Sequence, residues 1–155
     1  MIFLLFQIGG DRYAIHASQV VEVLPMVDCK CIPGAAVGIA GVFSYHGDPV
    51  PVIDLNAMTG GAPAKESMST RLVVVRCGEL GTEQRLLGVL AEMATSTERF
   101  RPEEFKEPGV SVSGAPYLGP VIQNGDEIVQ WVKVEKLLSP AVRSQLWQQA
   151  EAALC

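Results

Sequence analysis

This sequence lacks any apolar run approaching the roughly 18–20 residues that a membrane-spanning helix requires. It also lacks a basic surplus, with 12 Lys and Arg set against 17 Asp and Glu. The first absence argues against direct membrane insertion. The second argues against nucleic acid as a partner, because no excess of cations is available to neutralise phosphates. Cysteines number four and histidines two. Cys29 and Cys31 stand two apart, which on a strand would put both thiols on one face. Cys77, Cys155 and the scattered histidines do not complete a zinc-type ligand spacing. No metal site is expected, and the thiols read as the reduced cysteines of a cytosolic protein. The apolar opening at residues 2–6 is too short for the hydrophobic region of a signal peptide and has no basic residue before it. The expected localisation is therefore cytoplasmic.

Catalytic patterns are missing as well. There is no Gly-x-Ser-x-Gly elbow and no Gly-rich phosphate loop, and Thr59-Gly60-Gly61 lacks the Lys-Ser/Thr that such a loop needs. Ser44, His46 and Asp48 have the composition of a triad, but residues two apart on a strand and its turn rarely converge as a triad must. Glu103-Glu104 reads as a solvated loop. A histidine kinase would need a helical phosphoacceptor histidine and a nucleotide domain, whereas His16 and His46 read as surface or turn residues. The expectation is a protein that is not an enzyme, with no catalytic residue and no cofactor.

What is present is apolar sequence in short pieces. Nearly half the residues are hydrophobic, which excludes the low-hydrophobicity signature of disorder. A chain of 155 residues can form one domain, or two small packed lobes, with a real core. Residues 2–8 and 12–15 read as strands joined at Gly9-Gly10-Asp11. Residues 16–24 read as one helical turn followed by a valine-rich strand running to about residue 32, where Pro33-Gly34 stops it. Residues 39–45 and 49–55 flank a tight turn at His46-Gly47-Asp48. Pro49 and Pro51 remove two backbone donors, so the second of these strands belongs at an edge or irregular margin.

Residues 56–70 form a small, polar loop by composition, read as the crossing between two lobes. Residues 71–77 and 85–91 read as strands around a turn at 78–84; residues 93–100 are ambiguous, and 101–113 are loop. Residues 118–123 and 127–134 make the clearest hairpin, its Asn124-Gly125 suited to a type I′ turn. Ser139-Pro140 caps a last helix, whose stripe of Val142, Leu146, Trp147, Ala150 and Leu154 packs on the protein's own core. About ten short strands with few helices point to small β-barrels.

The string G-V-x-x-x-x-G-x-x-V-P-V-I-D-L from Gly41 closely resembles the signature of the CheW family, adaptors that couple chemoreceptors to a histidine kinase. Phe6, Gly9, Tyr13 and Ile15 match its opening pattern, and the resemblance runs from Phe3 to about Leu138. It implies a mainly β fold of two small five-stranded SH3-like barrel lobes packed together, with short helices and a C-terminal helix. Residues 1–155 would then be a single CheW-like domain. It further implies two partners, a chemoreceptor cytoplasmic tip received in a groove between the lobes and the CheW-like domain of a CheA-type histidine kinase. Through them the chain would be associated with membrane receptor arrays.

By position, the receptor-side residues implied are Val20, Glu22, Val23, Gly41 and His46, while no kinase-binding residue is assigned. Val20 and Val23 read equally well as core, and Gly41 as a place where a side chain would crowd the backbone. Glu22 stands out as a charge in an apolar strand. The family usually reads N-L-R-G at the hairpin turn, where this chain has Ser44-Tyr45-His46-Gly47. If that arginine's position pairs with Glu22, as the resemblance implies, a mostly neutral histidine weakens the pair. The departure points to a divergent adaptor of an alternative chemosensory pathway, such as one controlling surface sensing or pili. The competing reading is a generic β-barrel module that binds another protein or a small ligand outside chemotaxis.

Overall fold

The computed structural model describes residues 1–59, 61–77, 85–108 and 115–154. The turn expected at 78–84 and residues 109–113 of the loop expected at 101–113 lie outside them. The described residues form nine strands: β1 (Ile2–Ile8), β2 (Asp11–His16), β3 (Val20–Pro25), β4 (Ile39–Tyr45), β5 (Asp48–Asp54), β6 (Arg71–Cys77), β7 (Arg85–Arg99), β8 (Leu118–Asn124) and β9 (Glu127–Val132). A four-residue helix α1 (Leu55–Met58) follows β5, and α2 (Pro140–Leu154) follows the last strand.

Nine strands supply two five-stranded lobes because β7 serves both. Its first part pairs with β6 from Arg85 to Ala91 and with β5 at Gly88 to Leu90; its second part pairs with β1 from Glu92 to Arg99. The register shifts between the two parts, with Leu5 opposite Ser96 but Gln7 opposite Glu92, and Met93 there adopts φ +54. Positive φ is uncommon outside glycine, and here it marks the bulge that bends one strand out of one barrel into the next. The ambiguity of residues 93–100 in sequence has this cause: the segment is strand, but a bent one with mostly exposed polar side chains. Lobe A thus holds β1, β2, β8, β9 and the second part of β7; lobe B holds β3, β4, β5, β6 and the first part.

The apolar runs bury both faces. On β6, Leu72 and Val74 fill lobe B while Val73, Val75 and Cys77 face a central core between the lobes. On β1, Phe3 and Leu5 fill lobe A while Leu4, Phe6 and Ile8 join that central core. Strands buried on two faces read as continuous hydrophobic runs, as residues 2–6 and 72–75 do. Leu146 and Ala150 of α2 are fully buried in the same central core, with Val142 and Trp147 packed beside them, so the helical stripe covers the protein's own interior. Trp147 anchors it by donating from Nε1 to the Leu86 carbonyl at 3.0 Å.

Three local expectations change, and a fourth holds for part of its strand. The third strand stops at Pro25 instead of running to residue 32; beyond it only Lys30 bridges, to Val42, so Cys29 and Cys31 share no strand face. Leu55–Met58 is helix where the end of a strand and the start of a loop were expected, because Asp54 caps it. The Asp54 carboxylate is buried, accepting from the amides of Asn56 and Ala57 and, across the crossing loop, from Ala64 at 2.9 Å. The 124–127 turn has Gly125 and Asp126 at its centre with positive φ at Gly125 alone, as a type II′ turn needs, instead of the I′ turn expected of Asn-Gly. Pro49 and Pro51 stand where β5 pairs only with β4; the part that also pairs with β7, from Val52 to Asp54, is free of proline. That strand is an edge at one end and interior at the other.

Candidate interaction surface

The implied residues cluster on lobe B, and the strand that carries three of them lies at the end of the sheet order, paired with β6 alone among the named strands. A register shift between Val20 and Glu22 inserts an extra residue, Val21, into β3. Such a bulge re-aims the side chains around it. Val20 packs against the central core, and Val21 and Leu24 pack against lobe B. Glu22 is left exposed, and Val23 is 40% exposed.

The end of the β4–β5 hairpin meets Glu22. His46 and Gly47 take φ +51 and +88, the two positive values of a type I′ turn, with Tyr45 opposite Asp48 at its base. The Tyr45 hydroxyl donates to Glu22 Oε1 at 2.8 Å. Accepting that bond and then repelling a phenolate, the carboxylate pushes the Tyr45 pKa up, which favours the protonated hydroxyl that donates to it. The His46 ring lies edge-on to the Tyr45 ring, centroids 4.3 Å apart. The partner of Glu22 is therefore Tyr45 and not His46, which corrects the pairing expected of the arginine position. Tyr45 was legible as a strand residue only, since nothing in its spacing ties it to a glutamate 23 positions earlier.

Val20 and Gly41 are built into the fold instead of the surface. Gly41 is buried at φ +153, and a Cβ there would sit 2.5 Å from the Lys30 carbonyl oxygen. The glycine lets the 26–32 segment close against β4 through the paired Lys30–Val42 backbone bonds, both 2.8 Å. Ser44, His46 and Asp48 are all exposed around the turn, and no hydrogen bond joins them among the described residues. His16 departs from an ordinary surface role: its Nδ1 accepts from the Ser18 amide to cap a helical turn at Ala17–Gln19, and its ring stacks on Trp131. Burial, and then the N-terminal ammonium, lower its pKa.

Between the lobes runs an apolar groove of about 220 Å³, lined by Val37, Ile39 and Met58 on one side and Tyr117, Leu138 and Val142 on the other. None of the five implied residues lines it. Among the described residues no helix is long and apolar enough to cross a membrane. Burial raises the pKa of the Cys29 and Cys77 thiols, which disfavours the reactive thiolate.

These features define a class: a two-lobed β protein that offers charged and apolar side chains along a strand edge and a hairpin tip. A family model described as CheW-like domain matches residues 3–142, and the chain belongs to that family. It is 25% identical over 137 residues to chemotaxis protein CheW of Helicobacter pylori, covering 88% of this chain and 80% of that one. Against chemotaxis protein CheW of Klebsiella aerogenes it is 27% identical over 143 residues, covering 88% and 81%. Protein FrzA of Myxococcus xanthus is 27% identical over 142 residues, covering 90% and 86%. The crystal structure of the scaffolding protein TtCheW from Thermoanaerobacter tengcongensis shares the fold, with a TM-score of 0.78 at 20% identity over 91% of this chain and 89% of that one.

Proposed function

We propose that this chain is a non-enzymatic adaptor of bacterial chemosensory signalling, coupling the cytoplasmic tips of chemoreceptors to a CheA-type histidine kinase. The family match across residues 3–142 is the observation that carries this reading. Both lobes work as one domain, held together by the shared β7 and the central core. The protein acts in the cytoplasm and reaches membrane receptor arrays through its partners. Val20, Glu22, Val23, Gly41 and His46 mark the receptor side: Glu22, Val23 and the hairpin tip make contact, while Val20 and Gly41 set the backbone beneath them. Replacement of the family's arginine by His46 supports a divergent receptor system, of the kind that controls surface behaviour or pili.

The test is calorimetric titration of the protein against the CheW-like domain of a CheA-type kinase from the same organism, and separately against the cytoplasmic hairpin fragments of its chemoreceptors. Micromolar binding to both is the expected result. Binding to neither by a folded protein overturns the adaptor reading. His46→Arg should leave folding intact and change hairpin affinity. An unchanged affinity removes the argument for divergence at this turn.

A further inference from the structure

We propose that Tyr45 is a positioning residue for partner recognition, holding an uncompensated Glu22 carboxylate at the lobe B rim for a lysine or arginine on the receptor's helical hairpin. The inference rests on the receptor reading above and names the chemistry of that contact. Its starting point is charge. All 12 lysines and arginines and both histidines lie within the described residues, and none forms an ion pair with Glu22. The carboxylate is instead held by a neutral donor, which fixes its direction and leaves its charge intact.

Other carboxylates with hydrogen bonds serve the fold. Asp54 caps α1 and ties the crossing loop, Glu92 accepts from the Lys65 amide, Glu104 accepts from the Arg101 amide, and Glu135 accepts from the Gln19 side chain 116 positions earlier. The Glu22–Tyr45 bond satisfies no backbone group, and it sits on an exposed rim. Beside it in sequence stands half-exposed Val23, and behind it the Tyr45 and His46 rings brace each other. A positioned anion next to apolar surface is complementary to a cation carried beside an apolar side chain, and a pre-directed carboxylate spends less entropy on meeting it.

The experiment titrates soluble chemoreceptor hairpin fragments from the same organism against the intact protein, Tyr45→Phe and Glu22→Gln, at low and at raised salt. Wild-type affinity should fall as salt rises. Glu22→Gln should bind roughly tenfold more weakly and lose most of that salt dependence, as expected for one charge-assisted contact. Tyr45→Phe should bind about three- to tenfold more weakly while keeping the salt dependence, because the charge remains and only its direction is lost. A merely structural tyrosine would lower the melting temperature and leave affinity at a temperature well below melting unchanged, which would overturn the proposal. Wild-type binding that neither substitution alters also overturns it while the adaptor reading stands. No wild-type binding to any hairpin removes both.

Discussion

Lobe A is filled with rings and lobe B with branched aliphatics. In lobe A, Phe3 lies 5.8 Å from Phe100, 5.3 Å from Phe105 and 5.0 Å from Trp131, centroid to centroid, and Lys133 caps the indole at 4.4 Å. Lobe B packs Val50, Val52, Leu72, Val74 and Leu90 around the one buried ring of Phe43. The rims differ in the same sense. The outer edge of β8 is partly covered by a two-bond bridge from Lys106 to Val121, whereas β3 has no such bridge among the described residues. The outer edge of one lobe is thus partly bridged, while that of the other is left open. In this chain the candidate contact residues belong to the lobe with the free edge.

The most damaging way to break this contrast is in the rings. Phe3→Ala should cost about 4 kcal/mol in denaturant unfolding, and Leu72→Ala in lobe B about 3 kcal/mol, since the first removes the hub of an aromatic cluster and the second one of several similar side chains. A larger loss at Leu72 would sink the distinction. Next comes the closure of lobe B. Gly41→Ala drives a methyl group into the Lys30 carbonyl and should cost about 2 kcal/mol, while Gly10→Ala, with open space around it, should be nearly neutral. Equal effects at the two positions would mean that the 26–32 segment yields without cost.

The smallest effect is expected from titration in lobe A. Because the His16 pKa is lowered in the fold, the unfolded chain binds the proton first as pH falls. Its contribution is therefore full above the ordinary value of 6.5 and is lost as pH drops through the lower folded value. Unfolding measured between pH 7.5 and 5.5 should show a steeper loss for the wild type than for His16→Asn. Parallel curves would show that the ring titrates alike in both states.

Much of this architecture was legible in sequence, and the failures have local causes. Strands with an apolar run or a glycine turn announced themselves, as at 71–77 and around Gly9 and Gly47. The bend in β7 did not, because Met93 is an unremarkable residue until the register of β1 is known. Asp54 reads as the end of a strand motif, and its role as a buried cap depends on a loop amide ten residues away. For the candidate surface, sequence identified Glu22 as an anomaly, and the resemblance attached it to the arginine position that His46 occupies here. The hydroxyl that holds it belongs to the preceding residue, and only the geometry of the hairpin tip decides between the two.

The sharing of β7 also has a consequence for how the molecule is made. Lobe B is drawn from the middle of the chain, residues 20–91, and lobe A from the stretches on either side of it. During synthesis from the N-terminus, β1 and β2 emerge first, yet they must wait for β7 and β9 before their barrel can close. Lobe B has all its strands earlier and can form while the first hairpin is still exposed. One lobe is thus nested inside the other, and the first strands to appear are among the last to be enclosed.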